Sequence, residues 1–230
     1  MTALQLPARW NQPDAQLRLT EALLARGPKT DLALLPEAAL TGYVSPDGDF
    51  DLSPFAEPLS GPTHAAYASL ARRFDCLLVG PVIEREGPRC FNSLVGVTPD
   101  GATLLHYRKH HPWYPETWAS AGERWCPTVR WRGVALTVAL CFDLHFLPGE
   151  PDDAQLLLFS SAWVDPDDTR PALLQALARA RRLEVLNANW GSGPPLTPGQ
   201  GGSLHVDRDG AVTARLQQEA GRLDRQTAAP

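Results

Sequence analysis

Ala135-Leu136-Thr137-Val138-Ala139-Leu140-Cys141-Phe142-Asp143 is a β-prone apolar run that opens after the turn signal Arg132-Gly133 and closes on a thiol, with a carboxylic acid two residues on. It reads as a buried strand that delivers a cysteine to its exposed end. A sulfur attacks as the thiolate, and an unperturbed cysteine titrates at about 8.5, so a base or a cation must be supplied beside it by another part of the chain. The surrounding sequence is read for those partners and for the layers that bury the strand.

Downstream, residues 156–159 form another apolar strand, 171–186 a helix and 187–190 a strand, and a hairpin of 203–206 with 211–216 turns through Asp207-Arg208-Asp209-Gly210. Immediately upstream, residues 129–131 meet the central strand across Arg132-Gly133, and 91–97 pairs with 103–107 around Pro99-Asp100-Gly101. At the N-terminus, strand 2–6 leads to a helix capped by Asp14, with Ala15, Leu19 and Leu23 on one face and Gly27 at its end. Strand 32–36 follows, then Glu37, Thr41-Gly42-Tyr43 and an irregular stretch to Pro62. Thr63 opens a second helix through Ala66, Leu70 and Phe74, and strand 76–82 completes a second βαβ-like unit. Strands that are parallel first and antiparallel later, alternating with helices, predict an α/β (or α+β) chain of mixed sheets covered by helices. With 230 residues and no linker the expectation is one domain, with residues 219–230 a frayed polar tail.

Composition narrows the partners. A formal charge of -5 with 43% hydrophobic residues lacks the positive excess of a nucleic-acid binder. The N-terminus has neither a basic segment nor an apolar signal core, and no apolar run reaches the roughly 18 residues of a membrane span, so a cytoplasmic protein with no membrane association is expected. Cys76, Cys90, Cys126 and Cys141 are scattered without a Cys-x-x-Cys pair, which predicts free thiols, three of them packing groups.

Three residues qualify as partners for Cys141. Glu37 follows an apolar strand and Pro36, where burial raises a carboxyl toward the range of a general base, although a loop or cap acid has the same look. Lys109, in His106-Tyr107-Arg108-Lys109-His110-His111, follows a hairpin strand; a lysine there either decorates a solvated edge or steadies a developing oxyanion and lowers the thiol pKa. Glu116 stands among Trp113, Tyr114 and Trp118, rings able to desolvate it.

Together these residues resemble a known family. Pro36-Glu37 with Thr41-Gly42-Tyr43, Tyr107-Arg108-Lys109 with His111, and Cys141-Phe142-Asp143 are similar, in order and in strand-end placement, to the three signatures of the nitrilase, or carbon-nitrogen hydrolase, superfamily. Residues 157–163, Ala178-Arg179-Ala180, Glu184, Asn189, Gly202-Ser203 and Asp209-Gly210 extend the likeness over about residues 1–216. The resemblance implies an αββα sandwich that needs no metal or cofactor. It implies Cys141 as nucleophile, Glu37 as base, Lys109 and the Phe142 backbone N–H as oxyanion donors, and Glu116 as a second glutamate that positions substrate. Tyr43, Trp113 and Trp163 would then contact a small amide or N-carbamoyl substrate. Asp143 looks like the amidase and carbamoylase branches, since the nitrile-cleaving branch usually has glutamate there.

Other readings stay open: a nitrile-cleaving or acyl-transferring member, a silent binding module on the same fold, or a metal-dependent hydrolase using His106, His110 and His111 with His145 or Asp143. The pocket should be shaped by residues 43–55, 110–118, 163–170 and 191–200, with Arg170 or Arg124 as candidates to pair a substrate carboxylate. In one respect the chain departs from the family. Residues 146–153 leave no room for the helix expected after Cys141, although a parallel crossover generally takes about a dozen residues. That helix lies near the surface through which members pair, so its loss bears on the implied homodimer more than on the active centre.

Overall fold

The structure is a computed structural model that describes residues 1–123, 125, 128–147, 153–193 and 199–226. The first half of the chain forms β1 (Thr2–Gln5), α1 (Pro13–Arg26), β2 (Leu32–Leu34), α2 (Pro62–Phe74), β3 (Leu77–Glu86), β4 (Arg89–Val97) and β5 (Thr103–Arg108). The second forms β6 (Val129–Trp131), β7 (Val134–Leu140), β8 (Leu156–Ser160), α3 (Arg170–Arg181), β9 (Glu184–Ala188), β10 (Leu204–Val206), β11 (Val212–Arg215) and β12 (Gly221–Asp224). The strands make two six-stranded sheets, ordered β12-β1-β2-β3-β4-β5 and β11-β10-β9-β8-β7-β6. Within them β1-β2-β3 and β7-β8-β9 are parallel, and the outer pairs are antiparallel.

Alternation along a strand explains the layers. Leu32 and Leu34 of β2 and Leu156 and Leu158 of β8 meet between the sheets. Their neighbours point the other way: Ala33 and Leu35 pack under Leu24 of α1 and Tyr67 and Leu70 of α2, and Leu157 and Phe159 under Leu174 and Leu177 of α3. Both faces of the central strands are therefore covered, which is why their sequences are continuous apolar runs, and the stacking is αββα.

Several elements depart from the sequence reading. The third helix stops at Arg181, not 186, because Arg182 turns into the left-handed region (φ 54°) and frees Glu184–Ala188 to pair between β8 and β10. Pro13 and Pro62 take the first helical turns, after Gln12 and Gly61, so Asp14 and Thr63 lie inside the helices instead of capping them. The tail expected to fray from 219 instead supplies β12 along the edge of β1, with Leu223 buried and the Arg222 guanidinium donating to the Leu23 and Leu24 carbonyls at 3.2 and 2.8 Å. Residues 227–230 lie outside the described residues. After β7 the missing helix is replaced by a single 3₁₀ turn, Cys141–His145, yet β7 and β8 remain parallel neighbours. Residues 148–152 of that connection lie outside the described residues, as do Arg124 and Cys126. Among the described residues no helix is long and apolar enough to cross a membrane.

This topology gathers the candidate residues. Because β5 is antiparallel to β4 and β4 to β3, β5 runs in the same sense as β2 and ends at the same rim. Glu37 follows β2, Lys109 follows β5 and Cys141 follows β7.

Candidate active site

Cys141 begins the 3₁₀ turn with φ +40°, a left-handed backbone that costs a β-carbon-bearing residue on the order of 1 kcal/mol and must be held in place. The holder is Asp143. Its buried carboxylate accepts the Leu140 N–H at 3.3 Å, the Tyr107 hydroxyl at 2.7 Å and the His111 N–H at 2.8 Å, joining the cysteine turn to the segment after β5. Burial pushes this carboxyl up, against the pull of those donors and of Lys109.

Opposite the thiol lies a closed ring of four side chains. Glu37, completely buried, accepts from Lys109 Nζ at 2.8 Å, from Asn92 Nδ2 at 2.8 Å and from the Ala162 N–H at 3.1 Å. Its own carbonyl accepts the Trp190 indole N–H at 2.7 Å, which fixes the turn that carries it. Lys109 continues the β4–β5 ladder through its N–H to the Asn92 carbonyl (2.8 Å) and turns its ammonium to Glu116 Oε2 at 2.7 Å. Glu116 is steadied by the Trp113 N–H and by Asn92 Nδ2, each at 2.5 Å. One ammonium and one amide thus serve two carboxylates in a site closed to solvent.

The Cys141 thiol is close enough to the Glu37 carboxylate and the Ala162 N–H for both to act on its ionisation. Burial and the Glu37 charge push it well above the usual cysteine range, against Lys109 and the Ala162 N–H. Lys109 pulls the thiol down, as expected, but burial and the Glu37 charge outweigh it, so the cysteine rests protonated beside the Glu37 carboxylate. Burial likewise raises Glu37, with Lys109 pulling down. Burial works against the Lys109 charge too, but Glu37 and Glu116 outweigh it and hold the ammonium above the usual lysine range. Phe142 is the second residue of the 3₁₀ turn, where a backbone N–H has no intrahelical acceptor and is available to an anion.

A cavity of about 190 Å³ opens over Cys141, walled by Tyr43, Trp113, Phe142 and Trp163, with His145 and Asp165 toward its mouth. Tyr43 packs against both Trp113 and Trp190 with ring centroids 6.0 Å apart, and the Lys109 ammonium lies 5.9 Å from the Tyr43 ring centroid. Of the four loops expected to shape the pocket, three do so; the described residues of 191–200 do not line it, and 194–198 lie outside the described residues.

Other candidates are not brought in. His106 pairs with Glu84 at 2.7 Å, His110 Nδ1 with the Gly122 carbonyl at 2.7 Å, and His111 stands 3.4 Å from Asp143, so the three rings serve separate partners. No group of three potential metal ligands occurs among the described residues, since β5 alternation throws His106 to the opposite face from Tyr107. Arg170, a candidate for a substrate carboxylate, is fully buried behind the site, bonding Asn187 Oδ1 at 2.7 Å and the Gly201 and Gly202 carbonyls at 3.2 and 3.3 Å. Arg124 lies outside the described residues.

Sequence reading missed Asn92. The signal was an amide inside the apolar strand 90–97, since a polar group buried in a sheet face must find partners.

The profile of the carbon-nitrogen hydrolase family matches residues 1–226. An (R)-stereoselective amidase from Pseudomonas sp. is 32% identical over 212 residues, covering 89% of this chain and 74% of that protein. Omega-amidase YafV of Yersinia enterocolitica is 28% identical over 97% of this chain and 88% of its own length. Among solved structures, a CN-hydrolase superfamily protein of Xanthomonas campestris with an arsenic adduct in its active site superposes with a TM-score of 0.84 at 26% identity, covering 96% of this chain and 87% of that one. An amidase from Nesterenkonia sp. gives 0.82 at 25% identity, with the same coverages. The chain belongs to the carbon-nitrogen hydrolase family, and its fold is the nitrilase-superfamily sandwich. It is a hydrolase of carbon–nitrogen bonds other than peptide bonds.

Proposed function

We propose that this protein hydrolyses a small amide through a thioester on Cys141. As the amide carbon comes within reach, Glu37 takes the thiol proton, the S–C bond forms and the carbonyl oxygen becomes an oxyanion between the Lys109 ammonium and the Phe142 N–H. Glu37 then returns the proton to the nitrogen, the C–N bond breaks and ammonia or an amine leaves. Water attacks the thioester with Glu37 again as base; the C–S bond breaks, releasing the acid, and the sulfur regains its proton from Glu37. Glu116 keeps Lys109 aimed at the reacting carbon, and Tyr43, Trp113 and Trp163 hold the acyl group.

The observation that carries this reading is the Glu37 carboxylate, which bonds the Lys109 ammonium at 2.8 Å and lies close enough to the Cys141 thiol to act on its ionisation, beneath a cavity that opens on the sulfur. A thiol held protonated against a buried carboxylate suits a base-assisted attack, in which charge appears only as the bond forms. The test is intact-mass and peptide mass spectrometry of the protein incubated with simple amides and N-carbamoyl compounds, together with assay of the released ammonia. Wild type should release ammonia, a Glu116→Gln variant should accumulate an acyl adduct on Cys141, and Glu37→Gln, which lacks the base for acylation, and Cys141→Ala should show neither. Turnover that survives Cys141→Ala overturns the proposal.

A further inference from the structure

Resting on amide hydrolysis at Cys141, we propose that the pocket selects its substrate by charge: it takes amides whose acyl chain is neutral or ends in an ammonium, and refuses acyl chains that end in a carboxylate. The walls carry the first half of the argument. Beyond the sulfur, an acyl chain meets the rings of Tyr43, Trp113, Phe142 and Trp163, and the one carboxylate among the described lining residues is Asp165. A buried carboxylate without a partner costs several kcal/mol, and apolar walls offer none.

The positive groups nearby carry the second half. Lys109 is buried beneath the pocket and committed to Glu37 and Glu116. Arg170 is buried and does not line the cavity; its guanidinium bonds Asn187 and the carbonyls of Gly201 and Gly202 and pairs with Asp168. Of the residues outside the description, only Arg124 carries a positive charge. Asp165 itself is fixed: its carboxylate accepts the Asp167 N–H at 3.2 Å and the Thr169 hydroxyl at 2.7 Å. The Thr169 hydroxyl bond also holds it below the usual carboxylate range, so it keeps its negative charge at neutral pH. Each oxygen retains lone-pair capacity for a further donor. An incoming carboxylate meets a like charge there, and an ammonium meets its complement.

The experiment uses three amides of one chain length: the monoamide of glutaric acid, the analogue in which isopropyl replaces its carboxylate, and the analogue in which an ammonium does. Assays are run at about pH 8.5, where an ordinary carboxylate and an ordinary alkylamine are both charged. The neutral and cationic amides should show kcat/KM at least about 100-fold above the acid. Asp165→Asn keeps the turn-forming side chain. It should raise the acid-to-neutral ratio and lower the cation-to-neutral ratio by about fivefold each, the scale of one partly screened charge pair. Binding is read separately, as protection of Cys141 from iodoacetamide mapped by mass spectrometry. An acid turned over within tenfold of its neutral analogue, or ratios that Asp165→Asn leaves in place, overturns the charge selection while amide hydrolysis stands. Protection in the proposed charge order without turnover upholds the selection and overturns the hydrolysis.

Discussion

Asn92→Leu isolates what one amide does for two carboxylates. In the wild type Asn92 Nδ2 donates to Glu37 at 2.8 Å and to Glu116 at 2.5 Å, and its Oδ1 has no hydrogen-bond partner, so leucine of similar volume removes two donated bonds and little else. A hydrogen bond to a charged group contributes about 1.5–3 kcal/mol, and a pKa unit corresponds to about 1.4 kcal/mol, so loss of the bond to Glu37 should raise its proton affinity by roughly one unit. The sign follows from the bond's preference for the ionised carboxylate: without it the acid holds its proton to higher pH. In the proposed mechanism Glu37 must be ionised to accept the thiol proton, so the acid limb of the kcat/KM profile should move up by about one pH unit. The plateau above the limb should fall no more than about tenfold, because Lys109 and the thiol remain in place. The assay is ammonia release from a neutral amide across about pH 5–9, with circular dichroism to establish folding and the pH dependence of Cys141 alkylation as an independent readout. A folded variant whose acid limb stays where it was in the wild type refutes the role given to the ring.

Lys109→Met leaves Glu37 and Glu116 buried against each other; turnover should vanish and stability fall by about 3–5 kcal/mol at neutral pH. In that variant the carboxyls are driven above their unfolded values, so chemical denaturation should show the deficit shrinking as pH falls and one of them takes a proton. Glu84 is a structural counterpart: burial pushes it up, but His106, Arg108 and Ser93 outweigh this and bring it from 4.5 to about 2. A depressed carboxyl stabilises the fold above its unfolded pKa and loses that contribution as pH falls through the folded one, so between about pH 5 and pH 2 wild type should lose roughly 3 kcal/mol more than Glu84→Gln. Leu223→Ala should cost about 2–4 kcal/mol in urea unfolding if β12 is an integral edge, and almost nothing if the tail is loosely attached.

How far the sequence could be read follows from where each element finds its partners. β2, β7 and β8 are sealed on both faces, and that environment writes itself into the chain as unbroken apolar runs whose polar successors, Glu37 and Cys141 among them, stand out at the rim. Lys109 and Glu116 were legible for the same reason, as charges set against strand ends and rings. β12 was not, because an edge strand buries little more than Leu223 and its register depends on β1 at the far end of the chain, which no local pattern encodes. Nor was the end of α3: the residues from Ala178 to Leu186 suit a helix as well as a strand, and only the left-handed Arg182 and the slot between β8 and β10 decide. Asn92 shows the limit most plainly. A single amide within an apolar strand announces that it must be satisfied, but that its two partners are the carboxylates flanking Lys109 is a fact of the β3–β4–β5 register. Charge balance in the site, one ammonium against two acids and a protonated thiol, is therefore a property of the assembled sheet and not of any motif.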